Sequence, residues 1–373
     1  MKKQILIFVF FTLAIFAGVN KSYGQAVHVS APSATSCVSD ALHPVAGKPY
    51  GYQVNVNPAG GDFYWWATKD PTFISGAGNT NSATKLTTPV QLLSTSANYG
   101  VTTTAGNIVT ITWSDAVLST TKFQAVPNAT PTIASPSPTF IAVHYDAPAA
   151  NCADNIKVFE LDPINQFTVD IKNLNAAWAS QIYGATVSSC SADVASATYT
   201  SGAMVYNYGV NYLYYEVVAA NFSAEWKPTF AVTAKGATQS VTIEWTDKDI
   251  TSGTGLAGAV WNAATASVTT NAVDTSNGVS IFVRVTVQNN NYENNATAHP
   301  TGTDITLAVD GQNSVGIWDI VNSATACTQT AAADQNDLAT QVLLPRPAMP
   351  NTPPTTTSPL PTNKILIPGN ETN

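Results

Sequence analysis

The sequence contains few charged residues. Of its 373 residues only 10% are charged, and 15 basic residues against 23 acidic ones give a formal net charge of -8. Typical soluble domains contain about 25% charged residues. No cluster of lysine or arginine follows the first few residues, and contact with phosphates needs such a basic surface. We therefore expect no nucleic-acid partner.

Cysteine, histidine and methionine are also scarce, with four, four and three residues respectively. The histidines are scattered, and no two cysteines form a CxxC pair. The sequence motifs of zinc proteases, serine hydrolases and nucleotide-binding loops do not occur. We therefore expect neither enzymatic activity nor a cofactor.

The residues that are abundant favour strands and turns. The polar residues are mainly Thr, Ser, Asn and Gln, and they accompany 22 Gly, 22 Pro, 14 Tyr and 8 Trp. Short β-branched and aromatic runs alternate in polarity, for example Val109–Trp113, Phe140–Tyr145 and Ile281–Val287. These features predict an all-β fold of two tandem immunoglobulin-like antiparallel β-sandwiches, followed by a disordered Pro/Thr-rich C-terminal tail.

The N-terminus has the features of a secretory signal peptide. Lys2 and Lys3 precede a long apolar run, and Ser22-Tyr23-Gly24 supplies the small residues that a signal peptidase recognises. We expect residues 1–24 to be removed and the mature protein to be secreted, to the extracellular space or the cell surface. A membrane anchor is the alternative, because the apolar run approaches the length of a short spanning helix.

Removal of the signal peptide changes the charge of the chain. It takes away three lysines and no acidic residue, so the mature protein has a net charge of -11. This charge favours solubility and repulsion between copies, and it disfavours anionic surfaces. No later segment is apolar enough to span a bilayer, so we expect no membrane span in the mature protein.

One ordered series of residues occurs twice in the chain, with the pattern W…PTF…VTIxW[ST]D. The two copies consist of Trp66, Pro71–Phe73 and Val109–Asp115, and of Trp226, Pro228–Phe230 and Val241–Asp247. Two further strand-like segments follow each copy, Phe140–Tyr145 and Phe167–Ile171 in the first, Ile281–Val287 and Ile305–Val309 in the second. Chance similarity between two β-rich segments is the alternative. The series predicts two modules, residues 26–173 and 174–330, with a Pro/Thr-rich tail at residues 331–373.

The four cysteines all lie in the mature part of the chain. An even number of cysteines in an exported protein predicts disulfide bonds. Of the three possible pairings, the repeat selects Cys37–Cys152 and Cys190–Cys327.

Five aromatic residues are candidates for stacking on sugar rings. They are Trp65, Trp66, Tyr206, Tyr208 and Tyr214. Neighbouring residues on a strand face opposite ways, so one ring of the Trp65–Trp66 pair is expected to point outward. The alternatives are core packing and cross-strand pairs that stabilise a hairpin.

Three aspartates are candidate calcium ligands, because calcium prefers several oxygen ligands in a turn. Asp247 and Asp249 lie in one acidic loop, and Asp310 begins the sequence Asp310-Gly-Gln-Asn313. Neither loop matches the EF-hand pattern, and solvated turns are the alternative interpretation.

The signal ending Ser22-Tyr23-Gly24-Gln25, the Thr-, Asn- and Ala-rich strands and the tandem modules resemble secreted surface proteins of Bacteroidetes-type bacteria. Such proteins often join immunoglobulin-like or PKD-like sandwiches in series. The resemblance extends to about residue 330 and is one of general character, since the PKD-like WDFGDG signature is absent. It implies a place at the cell surface and assigns no functional residue.

These observations predict a non-enzymatic structural or adhesion protein of the cell surface or extracellular space. It would act through contact with other surface proteins, or with copies of itself in a filament or layer. A second hypothesis is a carbohydrate-binding module that holds extracellular glycans on exposed Trp and Tyr rings. A hydrolase with an unrecognised pair of carboxylates is a third.

Overall fold

The computed structural model describes residues 39–57, 59–73, 84–101, 106–119, 121, 138–148, 154–164, 166–174, 187–251, 255–320 and 337–349. Within these ranges the fold is all-β, as the composition predicted. It consists of several sheets whose strands are antiparallel with one exception. Neither of the short helices in the described ranges has the length and apolar composition needed to cross a membrane. The predicted signal peptide lies outside the described residues.

The first unit of the fold contains two three-stranded sheets. Its elements are β1 (Pro49–Gln53), β2 (Asp62–Thr68), β3 (Leu92–Thr95), β4 (Ile108–Trp113), the short helix α1 (Asp115–Leu118), β5 (Thr139–Asp146) and β6 (Asn155–Leu161). One sheet has the order β1-β4-β3 and the other has the order β2-β5-β6. A single hydrophobic cluster takes residues from both sheets, among them Tyr52, Trp65, Ile111 and Ile141.

The second unit contains two five-stranded sheets. Its elements are β7 (Thr168–Leu174), β8 (Val187–Cys190), β11 (Val210–Ala220), β12 (Glu225–Ala234), β13 (Ser240–Thr246), a 3-10 helix (Leu256–Gly258), β14 (Asn262–Ala263), β15 (Val268–Thr269), β16 (Val279–Gln288), β17 (Thr303–Asn313) and β18 (Asp337–Leu344). The sheet orders are β14-β13-β16-β11-β7 and β15-β12-β17-β18-β8. Again one cluster joins both sheets, with Val217, Val285, Trp226 and Leu307 among its members.

A two-stranded sheet stands apart from these four sheets. It consists of β9 (Ser196–Thr200) and β10 (Ala203–Asn207), which lie in sequence between β8 and β11. We call this hairpin, residues 196–207, the arm.

The two units share an order of strand pairing. The sheet β1-β4-β3 corresponds to β11-β16-β13, and β2-β5-β6 corresponds to β12-β17-β18. Trp66 and Trp226 lie in corresponding strands, β2 and β12, but they are not equivalent. Trp226 lies in the core between the sheets, whereas Trp66 lies on the outer face of its sheet and Trp65 is the core tryptophan of β2.

The VTIxW part of the repeat is not equivalent in the structure, which corrects the sequence alignment. Val109–Trp113 lies in β4, which pairs with both neighbours at the centre of its sheet and corresponds to β16. Val241–Trp245 lies in β13, which corresponds to β3. The following aspartates differ accordingly, since Asp115 is buried and Asp247 is exposed. Alternating β-branched residues suit many half-buried strands, so the match reflects a shared environment rather than a shared position.

Two strands belong to the second unit although the predicted module boundaries place them outside it. β7, which falls almost entirely within the predicted first module of residues 26–173, pairs along its length with β11. Val169 and Ile171 of this strand, and Phe167 just before it, are buried in the core of the second unit. β18 falls in the predicted tail of residues 331–373, yet it pairs with β17 and β8 and buries Ala339 and Leu343. Its alternating buried and exposed residues require a place in a sheet, and the proline-rich composition begins only after it.

The two units meet at Asp115, the first residue of α1. The Ser223 backbone N–H and hydroxyl donate to Asp115 Oδ2 at 2.7 and 3.0 Å, and Asn313 Nδ2 donates to Oδ1 at 3.0 Å. The Asp115 N–H in turn donates to Ser223 Oγ at 2.9 Å. Nearby, the Thr275 N–H donates to the Gly47 carbonyl at 2.7 Å. A buried polar contact thus fixes the first unit against the second.

Burial of this carboxyl group makes stability depend on pH. Burial raises the pKa of Asp115 from 3.8 to about 6, and hydrogen bonds from Ser223 and Asn313 oppose the rise. Between these pH values the folded protein binds more protons than the unfolded chain, so Asp115 lowers stability as pH rises from about 4 to 6. The full effect is on the order of 3 kcal/mol.

We expect wild type to lose stability relative to Asp115→Asn across that pH window, and the difference to become constant above it. Denaturant unfolding at a series of pH values measures this difference. Asp247→Asn is the matched control, because Asp247 follows the other WTD-type motif but is exposed. A difference between wild type and Asp115→Asn that does not change with pH would contradict the assignment.

Candidate contact surface

Trp65 and Trp66 are both fully buried, at 0% exposure. The two rings do face opposite ways: Trp65 enters the core between the sheets, while Trp66 packs with Tyr64, Phe73 and Val158 on the outer face. The expectation that one ring is exposed is therefore wrong, because aromatic and β-branched side chains cover the outer face as well. Neither ring can stack on a sugar in this structure.

The three candidate tyrosines differ in exposure. Tyr214 is buried beside Trp261, with ring centroids 6.5 Å apart. Tyr208 is buried below Tyr206, whose ring stacks on it at 5.8 Å. Burial also raises the pKa of the Tyr208 hydroxyl. Of the five aromatic candidates, Tyr206 alone is exposed, at 41%, and it lies on the arm.

The arm is a β-hairpin with a two-residue turn. Its strands pair antiparallel from Thr200–Ala203 to Ser196–Asn207. Ser201 and Gly202 connect them with φ angles of 52° and 86°. Positive φ at both central residues defines a type I′ turn, whose twist matches that of the flanking strands. All ten strand residues of the arm are exposed.

One face of the arm is apolar. Side chains alternate along each strand, and cross-strand partners share a face. The pairs Tyr199–Met204 and Ala197–Tyr206 therefore lie on the same face. Tyr199 is 71% exposed and Met204 47%. Contiguous exposed apolar side chains are a feature of protein–protein interaction sites.

Hydrogen bonds hold the base of the arm in place. The Ala195 N–H donates to the Asn207 carbonyl at 2.8 Å, and the Tyr208 N–H donates to the Asn290 carbonyl at 2.7 Å. The Arg346 guanidinium donates to the Tyr208 carbonyl at 3.0 Å and lies 4.9 Å from the ring centroid of that residue. An isolated two-stranded hairpin is only marginally stable in water, so these contacts position the arm.

The arm carries no charged side chain, since none occurs between Asp193 and Glu216. Its chemistry is therefore limited to apolar packing, hydroxyl and amide hydrogen bonds, and backbone pairing. The sequence-based interpretation above did not predict this hairpin as a unit. The signal was present, because Ser201-Gly202 separates two short runs rich in Tyr, Thr and Val.

The candidate calcium ligands are not brought together as a set. Asp247 is exposed, and Asp249 accepts hydrogen bonds from the Thr251 N–H and hydroxyl at 2.8 and 2.6 Å in a turn of its own. Asp310 instead lies in β17, where it is buried.

Asp310 lies with two aspartates that the sequence analysis did not select, Asp319 and Asp337. All three are buried, and one carboxylate oxygen of each lies within 4.8 Å of the others. Asp319 also accepts a hydrogen bond from the Gly311 N–H at 2.9 Å. The charged forms of three buried carboxylates this close repel one another, and hydrogen-bond donors or a bound cation reduce that repulsion. Oxygen donors of this kind could hold a hard divalent cation such as calcium.

Cys190 is exposed and forms no disulfide bond with any residue that the structure describes. Cys37, Cys152 and Cys327 lie outside the described residues, so the pairings Cys37–Cys152 and Cys190–Cys327 stay predictions. The Cys190 carbonyl accepts a hydrogen bond from Asn211 Nδ2 at 2.9 Å, which places the residue near the base of the arm.

Comparison with known proteins adds no assignment to this geometry. No protein-family model matches the chain, and a search of curated proteins finds no match.

Proposed function

We propose that the mature chain is a secreted, non-enzymatic structural or adhesion protein of the cell surface, and that the arm is its contact element. The observation that carries the proposal is the exposed apolar face formed by Ala197, Tyr199, Met204 and Tyr206. A rigidly based, uncharged hairpin of this kind is suited to binding another protein surface.

We further propose that the two units are tandem immunoglobulin-like sandwiches, as in the surface proteins that the sequence resembles. The shared pairing order of six strands in each unit supports this interpretation. So do the two hydrophobic clusters, each of which lies between a pair of sheets. Such units serve as spacers that hold a binding element away from its attachment point.

The alternative is a carbohydrate-binding role, in which Tyr199 and Tyr206 would stack on sugar rings. Their exposure favours it, but Trp65, Trp66 and Tyr214 are buried and cannot contribute. The apolar residue Met204 between them is better suited to a protein partner than to a sugar.

The test measures adhesion of beads coated with the mature chain to intact cells of the producing organism. We expect wild-type beads to adhere, and beads with Tyr199→Lys to lose most of that adhesion because a lysine interrupts the apolar face. Val205→Lys is the matched control, since it adds the same charge on the opposite face of the arm. Equal adhesion of all three beads would contradict the proposal.

A glycan array separates the two roles. Binding of the wild-type chain to defined glycans, lost on Tyr206→Ala, would replace the protein-contact role with the carbohydrate-binding one. Absence of glycan binding together with arm-dependent adhesion supports protein contact.

A further inference from the structure

We propose that the partner of the arm is a second copy of this chain, joined by antiparallel pairing of β9 with β9 of the other copy. This inference rests on the proposed function, because it names the partner of the same element. Four observations support it: the open edge of β9, the self-complementary hydrogen-bonding groups of that edge, the apolar face of the arm and the absence of charge on the arm.

The edge of β9 is open for pairing. No other strand in the described part of the chain pairs with the arm. In a hairpin with a two-residue turn, the pair beside the turn is hydrogen-bonded and the pairs alternate from there. Thr200–Ala203 is that first pair. Ala197 and Tyr199 therefore direct their N–H and C=O groups outward, away from β10.

The outward groups complement themselves. If two copies pair antiparallel about Thr198, Tyr199 of each copy lies opposite Ala197 of the other. Each such pair exchanges two hydrogen bonds, so the contact contains four. The contact is isologous, as a two-fold symmetric dimer requires. In this register the large Tyr199 ring lies beside the small Ala197 side chain on each side of the two-fold axis.

The same register extends the apolar face. Ala197 and Tyr199 share a face with Met204 and Tyr206. Pairing of two arms therefore forms a four-stranded sheet with one continuous apolar face, and three or more strands with such a face are more stable than an isolated hairpin. Native edge strands usually contain lysine, proline or a bulge that prevents this pairing. β9, with the sequence SATYT, has none of these.

The charge distribution favours contact between copies at the arm. The mature chain, without residues 1–24, has a net charge of -11, so copies repel one another over most of their surface. The stretch between Asp193 and Glu216 contains no charge, and two arms can therefore approach without direct repulsion. Higher salt screens the remaining repulsion and strengthens the contact.

The contact is small. Two twelve-residue arms bury less than the roughly 1,000 Å² that a stable interface needs. Self-association is therefore weak and depends on concentration, and many copies held on one surface strengthen it through multivalency.

Sedimentation equilibrium of the full mature chain, over a range of concentrations and salt, tests the inference. We expect a monomer–dimer equilibrium that shifts toward dimer as salt rises. Ala197→Pro removes an outward N–H of β9 while leaving the pairing with β10 intact, and it should weaken dimerisation at least about tenfold. Tyr199→Lys should also weaken dimerisation, even though the added lysine lowers the net negative charge and with it the repulsion between copies. Val205→Lys, with the same charge change on the opposite face, should dimerise like wild type.

A wild-type chain that stays monomeric at high concentration and high salt would overturn the inference, and so would a wild-type dimerisation constant for Ala197→Pro. If the chain is monomeric but bead adhesion depends on Tyr199, the partner of the arm is not a second copy of this chain, and the proposed function stands. If neither self-association nor adhesion depends on the arm, both proposals fail.

Discussion

Replacing Gly47 by alanine should lower the free energy of unfolding by about 3 kcal/mol or more. Gly47 has a φ angle of +67°, and a Cβ there would overlap the Thr275 hydroxyl and the Phe222 carbonyl. Neither group can move away, because Thr275 is buried and its hydroxyl donates to the Phe222 carbonyl at 2.7 Å. The loss of stability has two causes, a left-handed backbone conformation for alanine and overpacking. Both act where the two units meet. Denaturant unfolding measures it.

Gly100 provides the matched control for backbone strain. Its φ angle is +71°, close to that of Gly47, but a Cβ there meets no atom within 4 Å. Gly100→Ala should therefore cost about 1–2 kcal/mol, the price of the left-handed conformation alone. If the two variants lose equal stability, the close contact between Gly47 and the second unit is not present in solution.

Truncation of Trp65 should have an effect of similar or larger size. Trp65 is fully buried in the cluster between the first two sheets, and its Nε1 donates to the Gly106 carbonyl at 2.9 Å. Trp65→Ala leaves a cavity and an unpaired carbonyl, which together cost about 3–5 kcal/mol. Calorimetry or denaturant unfolding should show a large fall in the stability of the first unit.

The control for Trp65 is an aromatic residue on the surface. Tyr199→Ala removes a ring that is 71% exposed and should change stability by less than about 0.5 kcal/mol. A tolerated Trp65→Ala would mean that this ring is not in the core.

Local features of the fold were predictable from the sequence. Val109–Trp113, Phe140–Tyr145 and Ile281–Val287 were predicted as strands from alternating polarity, and each lies in a strand. Such alternation reports burial on one face. It does not report which strand lies next to which. For that reason Phe167–Ile171 was assigned to the first module, although its hydrogen bonds join it to β11.

The candidate site was less predictable, because exposure is a property of the whole fold. Trp65 and Tyr199 are both aromatic residues in strands, yet one is fully buried and the other largely exposed. Asp319 approaches Asp310 through the turn after β17, where its carboxylate accepts from the Gly311 N–H, while Asp337 approaches it through the pairing of β17 with β18. The long-range pairing that adds Asp337 to this group follows no spacing rule in the sequence.

The position of β18 has a consequence for how the chain acquires its fold during synthesis. This strand, the last in the described part of the chain, lies between β17 and β8, and it brings Ala339 and Leu343 into the core of the second unit. The first unit, which ends with β6, can therefore fold while the ribosome is still adding the later residues. The second unit can complete its sheet only after Leu344 has emerged from the ribosome. Until then the backbone N–H and C=O groups of β8 and β17 that pair with β18 have no strand opposite them.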